Sequence, residues 1–136
     1  MNYLLDTNAC IDYLRRSDSP MHEWLDAVDA DCVHVCSVVQ AELLLGVRKN
    51  PTERNRRNVS RFLMYFESYS FDRAAAEVYA DIRAKLEKQG QVISPNDMLI
   101  AAIAMLHGET LVTGNSKEFG RIPELQCLTL ENLAAG

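Results

Sequence analysis

The segment from Ser94 to Leu106 (Ser-Pro-Asn-Asp-Met-Leu-Ile-Ala-Ala-Ile-Ala-Met-Leu) constrains the fold more tightly than any other stretch of the chain. Ser94 suits an N-cap and Pro95 the first helical position, so Asp97 falls at N3, where its charge meets the positive end of the helix. Behind Asp97 the segment is apolar on nearly every side, and such a helix is normally buried. Ala101, Ala102 and Ala104 are small enough to let a sheet or another helix come close. The chain must therefore wrap this helix, with Asp97 standing where it enters the core at one rim. By themselves Ser94 and Asp97 serve equally well as a capping box, and only the acids upstream argue for more.

Around this centre, short β-rich runs alternate with helical periodicities. Asn2 to Leu5 reads as a strand stopped by Asp6-Thr7-Asn8, after which Ile11 and Leu14 mark a helix reaching Arg16. Ser19-Pro20 opens a second helix, Cys32 to Cys36 forms a second strand, and a third helix runs from Ser37 to about Val47, ended by Asn50-Pro51. A fourth helix presents Val59, Phe62, Leu63 and Phe66 inward, and Tyr69 to Phe71 is expected as a brief third strand. Asp72 caps a long amphipathic helix stopped by Gly90. After the central helix come a fourth strand at Thr110 to Thr113, an edge strand at Gln126 to Thr129, and a closing segment from Leu130 to Leu133. Strands alternating with helices imply a parallel sheet covered on both faces, a three-layer α/β fold read as one domain over residues 1–136. In such folds functional groups gather at the carboxyl ends of the strands.

No apolar run reaches membrane-spanning length, because Asp, Arg and Glu interrupt each one, and no leader of the secretory type opens the chain; the expected location is the cytoplasm. Cys10, Cys32, Cys36 and Cys127 show neither a CxxC nor a matching histidine spacing, so they read as small buried hydrophobes. His22, His34 and His107 lie outside the segments that carry chemistry and are taken as structural. The net charge of −5 argues against holding nucleic acid by bulk positive charge. Action on RNA would need local arginines and a metal cation.

Three acids stand out. Asp6 lies where the first strand ends, at the crevice of an open parallel sheet, although a helix cap needs the same residue there. Glu42 sits in Ser-Val-Val-Gln-Ala-Glu-Leu-Leu-Leu-Gly-Val, where helical spacing puts Val38, Val39, Leu45 and Gly46 on its face. A carboxylate buried unpaired on such a stripe costs several kcal/mol, so a cation is expected beside it, either a guanidinium or a divalent ion shared with Asp6 and Asp97. Asn115, in Thr113-Gly114-Asn115-Ser116, ends the fourth strand and is either a turn residue or a hydrogen-bonding partner for water at a metal. Oxygen-only ligands from separate elements suit Mg²⁺ or Mn²⁺, and the reaction best served is phosphodiester hydrolysis.

Read in order, Asp6-Thr7-Asn8, Glu42 in its Val/Leu-rich helix, Pro95-Asn96-Asp97 before Ala101-Ala102, and Thr113-Gly114-Asn115 with Phe119 close behind resemble a PIN-domain protein, and more closely the VapC toxins of toxin–antitoxin pairs. The resemblance covers essentially the whole length. It implies a PIN-like α/β/α fold with a five-stranded parallel sheet in the order 3-2-1-4-5, and a metal-dependent endoribonuclease. It further implies that Asp6, Glu42 and Asp97 hold Mg²⁺ or Mn²⁺, that Asn115 fills a fourth catalytic position often taken by Asp, and that Thr7, Asn8 and Thr113 support the acids. Family members are commonly homodimers, cut transfer RNA (notably the initiator) or ribosomal RNA, and are silenced by a VapB-type antitoxin.

The basic residues Arg48, Lys49, Arg54, Arg56, Arg57 and Arg61 then read as a patch gripping RNA phosphates in an otherwise acidic chain, or else as a solvated helix face. Two other classes compete with the nuclease. A Mg-dependent phosphatase-like hydrolase also opens with an aspartate after the first strand, but the haloacid type would want a second aspartate at Asn8. A non-catalytic PIN-like module binding RNA or protein would have no need of intact Asp6, Glu42 and Asp97.

Overall fold

The computed structural model describes residues 1–135. Five strands, β1 (Tyr3–Leu5), β2 (Val33–Cys36), β3 (Glu67–Tyr69), β4 (Thr110–Thr113) and β5 (Cys127–Thr129), form one sheet in the order β3-β2-β1-β4-β5, with every neighbouring pair parallel. The helices are α1 (Thr7–Arg15), α2 (Pro20–Ala27), α3 (Ser37–Lys49), α4 (Glu53–Tyr65), α5 (Arg73–Gln89), α6 (Pro95–Leu106), α7 (Ser116–Phe119) and α8 (Leu130–Ala135). This is the three-layer α/β/α arrangement with the 3-2-1-4-5 sheet expected above. No helix among the described residues is long and apolar enough to cross a membrane.

The sheet's centre is dry. Leu4, Leu5, Val33, Val35, Leu111 and Val112 are all buried, as strands covered on both faces require. Helix α6 is the central helix of the sequence reading: Ser94 caps it by accepting from the amide of Asp97, and Met98, Ile100, Ala101, Ala102, Ile103 and Ala104 are buried. Cys10 and Cys36 are buried, Cys32 and Cys127 half-buried, and all four are unpaired thiols. Gly90 ends α5 with φ +67°, a left-handed conformation that favours glycine.

Three boundaries differ from expectation. The third strand starts two residues earlier than predicted, at Glu67, because buried Phe66 closes α4 and the chain turns at once into pairing with β2. Glu67 and Ser68 are exposed on this sheet edge, so they carry no hydrophobic alternation to read. Helix α3 runs on to Lys49, and the short α7 has no counterpart in the sequence reading.

Around Glu109, which precedes β4, His34 and His107 take structural places. Glu109, almost fully buried, lies 3.0 Å from His34 Nδ1 and also accepts a hydrogen bond from the Tyr69 hydroxyl, while His107 stacks on the Tyr69 ring at 3.8 Å. This cluster ties β2, the end of β3 and the start of β4 together.

Because Ile103 is fully buried in the central helix, Ile103→Ala should cost about 2–5 kcal/mol. Urea unfolding should show the midpoint falling with the slope unchanged.

Candidate active site at the carboxyl rim

The strand order reverses between β1 and β4, and a crevice is expected outside the carboxyl ends of strands at such a point. Asp6 follows β1 directly. Its amide continues the ladder to the Val112 carbonyl at 3.0 Å, which fixes its backbone against β4. Its side chain, 2 % exposed, accepts from the amide of Ala9 at 2.7 Å through Oδ1 and from the Thr113 hydroxyl at 2.5 Å through Oδ2. Asp6 is thus also the N-cap of α1, so both readings of this residue describe the same contact.

Thr113 is the hub of this rim. Fully buried at the end of β4, its hydroxyl donates to Asp6 and accepts from the amide of Asn115 at 2.8 Å. Gly114 between them fits because a Cβ there would stand 3.1 Å from Leu130 Cδ1. Asn115 in turn reaches Asp97 Oδ2 with Nδ2 at 3.4 Å. Asp97 comes from the first turn of α6, a helix that begins on this rim because it runs back along the sheet before β4.

Glu42 differs from expectation. Its helix turns Val39, Leu43 and Val47 to the core, while Leu45 and Gly46 are exposed, so Glu42 is half-buried at the margin of the apolar stripe. The burial penalty argued from sequence therefore does not apply at full strength. No Arg, Lys or His pairs with Glu42 among the described residues, and its Oε1 accepts from the Thr7 hydroxyl at 2.6 Å. Asn8 is exposed and its side chain makes no hydrogen bond among the described residues, so the support expected from it is not made.

The acids of this rim pair with no basic side chain among the described residues. Burial, with smaller help from the charges of Asp97 and Glu42, raises the Asp6 carboxyl to about 6 against the pull of Thr113 and Ala9. Burial also raises Asp97, with Glu118 and Glu42 adding and Asn115 opposing. Glu118 is an acid the sequence reading passed over. It sits at the third position of α7 behind Asn115, and Asn-Ser-Lys-Glu is a cap-and-glutamate signature that could have revealed it. In their present positions no three His, Cys, Asp or Glu side chains among the described residues close on a common metal position.

The basic residues divide. On α4, Arg54, Arg57 and Arg61 fall at i, i+3 and i+7 along one stripe, all exposed. Arg56 points the other way and lines a groove with Arg48 between α3 and α4; Lys49 is exposed at the end of α3. The single patch expected from sequence is two.

Residues 3–125 match the PIN domain family. The chain is 36 % identical to Ribonuclease VapC2 of Rickettsia felis, over 92 % of this chain and 95 % of the relative. The chain belongs to the VapC ribonucleases of the PIN-domain family. It is also 32 % identical to the tRNA(fMet)-specific endonuclease VapC of Shigella flexneri, over 93 % of this chain and 96 % of the relative. The crystal structure of VapBC2 from Rickettsia felis bound to a DNA fragment from their promoter superposes with a TM-score of 0.88 at 35 % identity, covering 95 % of this chain and 98 % of that one. PIN-domain ribonucleases are divalent-metal-dependent enzymes, which suits a VapC-family rim whose donors are oxygens of acids lacking a paired cation.

A carboxyl titrating near 6 in the fold and near 3.8 unfolded binds its proton more tightly when folded. Asp6 thus contributes stability below about pH 4 that is lost as pH climbs through about 6, on the order of 2–3 kcal/mol. Urea unfolding in a chelating buffer should show stability falling over this window, and Asp6→Asn should flatten that fall.

Proposed function

We propose that this VapC-family chain is a Mg²⁺- or Mn²⁺-dependent endoribonuclease toxin that hydrolyses phosphodiester bonds in a structured RNA and so blocks translation in the cytoplasm. The observation that carries this reading is that the charges of Glu42 and Asp97, from α3 and α6, bear on the buried Asp6 carboxyl at the end of β1, while no basic side chain among the described residues stands within ion-pair distance of any of the three. Initiator transfer RNA is the first candidate substrate, on the likeness to the Shigella flexneri enzyme, with ribosomal RNA the alternative.

The fit to a hard cation is one of donor chemistry: oxygen ligands only, negatively charged, from separate elements. We assign Asp6, Glu42 and Asp97 to hold the ion, directly or through water, which agrees with magnesium's habit of taking one or two carboxylates and keeping several waters. When bound, a divalent ion supplies the Lewis acidity that makes water nucleophilic near neutral pH and offsets phosphate charge.

The chain's own residues do the rest. Thr113 and the Ala9 amide fix both oxygens of Asp6 from the protein side, and Thr7 does the same for one oxygen of Glu42. Asp97, half-buried and raised in proton affinity, is suited to take the proton of the attacking water, with Asn115 holding its Oδ2. Arg54, Arg57 and Arg61 grip phosphates beside the acids, while Arg48, Lys49 and Arg56 serve RNA that continues round the α3–α4 hairpin.

A homodimer and a VapB-type antitoxin complete the reading. The Rickettsia felis neighbour was solved as VapBC2 on promoter DNA, and an unneutralised acidic rim is the surface a basic antitoxin tail would seal.

Purified chain mixed with transfer RNA should cut it in Mg²⁺ or Mn²⁺ and not in EDTA. Asp97→Asn keeps capping capacity but removes a charge, and should lower the cleavage rate beyond the roughly 10–100-fold typical of outer-shell changes, with the circular dichroism spectrum unchanged. Full activity in that variant would remove Asp97 from the chemistry. Changing Arg54, Arg57 and Arg61 together to Ala should reduce the slope of log affinity against log salt by roughly 2–3; an unchanged slope would return the stripe to a solvated helix face.

A further inference from the structure

Beside Glu42, between α1, α3 and α4, lies a cleft of about 220 Å³. Leu14 and Val59 form part of its aliphatic floor, and Glu42, Arg15, Asn55 and Asn58 its polar rim. Its volume is below the roughly 300–1,000 Å³ of sites for drug-sized ligands, so it suits a single flat ring system.

The amides on the rim are unspent. Asn58 is half-buried, and its side chain makes no hydrogen bond among the described residues. Asn55, one turn earlier and also half-buried, donates one N–H to the Asn50 carbonyl at 3.0 Å, which leaves its Oδ1 and second N–H open. Asparagine is a poor helix former; Asn55, in the first turn of α4, repays this by holding the Asn50 carbonyl at the end of α3, whereas Asn58 sits inside the helix with no such return. Its surroundings explain Asn58 better. An amide offers a donor and an acceptor side by side, the pattern that pairs with a nucleobase edge, adenine above all, and unstacked bases are what proteins read in RNA.

The neighbours are arranged to match. Arg54, Arg57, Asn58 and Arg61 stand at i, i+3, i+4 and i+7, so a guanidinium stripe borders the amides on one side and Glu42 lies across the cleft on the other. Phosphate contacts position a strand and base contacts give it sequence. We infer that this cleft is a specificity site, in which Asn58, assisted by Asn55, reads one nucleobase next to the cleaved phosphate, with adenine preferred. The inference rests on the nuclease reading above for the base's place beside a cut, while the binding itself stands independently of catalysis.

Two measurements test it. In EDTA, fluorescence anisotropy with short homo-oligoribonucleotides of A, C, G and U should rank the A oligomer first for the wild type. Asn58→Ala should shrink that preference about tenfold with its thermal midpoint unchanged, while Arg61→Ala weakens all four alike. In Mn²⁺, sequencing the products of a stem-loop library with a randomised loop should show a base preference at one position flanking the cut, flattened in Asn58→Ala. Equal base ranking in wild type and Asn58→Ala, or a loss uniform over the four oligomers, overturns the proposal. A library cut with the same base preference by both proteins removes the reading cleft and leaves the nuclease. Base-ranked binding that Asn58→Ala abolishes, with no cut in any RNA, keeps the cleft and removes the nuclease.

Discussion

The rim of this sheet depends on a carboxylate held where water cannot solvate it. Asp6 is clamped by the Ala9 amide in the first turn of α1 and by the Thr113 hydroxyl at the end of β4. Hydrogen bonding of this kind favours the charged form, yet burial outweighs it and the group titrates near 6. The residual deficit is what a cation would remove. Asp97 and Glu42 deepen it from α6 and α3, and Glu118 on α7 acts in the same sense on Asp97.

Each layer of the fold serves that arrangement. The buried faces of β1, β2 and β4 place three strand ends at one level, and the alanines of α6 let its first turn start at that level with Asp97. Membership of the VapC ribonucleases accounts for why such a site exists, and the hydrogen-bond pattern accounts for how it is held. Thr113 links the two: one hydroxyl positions Asp6 as donor and Asn115 as acceptor, and Asn115 then meets Asp97.

Much of this could be read from the residues alone, for identifiable reasons. The alternation of strands and helices and the places of Asp6 and Asp97 follow from strong local signals: capping residues, a proline at the first helical position, an uncharged helix; the strand order comes from the family resemblance. What resisted reading was whatever depends on an edge. Glu67 and Ser68 pair with β2 at an exposed edge, so the third strand carried no hydrophobic pattern. Glu42's burial was overstated because a helical wheel gives neighbours on the helix but not which side meets the core, and Leu45 turned out to face solvent. Glu118 escaped because a four-residue helix is too short to show periodicity. The six basic residues form two groups because Arg56 lies on the opposite side of α4 from Arg54, Arg57 and Arg61, toward Arg48 on α3, a division that spacing along the chain hides.

The two ends of β4 hold polar groups on opposite terms. At the amino-terminal end Glu109 is fully occupied by His34 and Tyr69, and His107 covers the tyrosine ring. At the carboxyl rim the acids are left wanting a partner. Selection for heat resistance alone would therefore find little to improve around Glu109 and much to gain by neutralising Asp6 or Asp97, each gain, on the role proposed for these acids, taken from activity. A laboratory lineage evolved without a demand for cutting RNA would drift toward a sturdier protein, and its first substitutions would mark the proposed active rim.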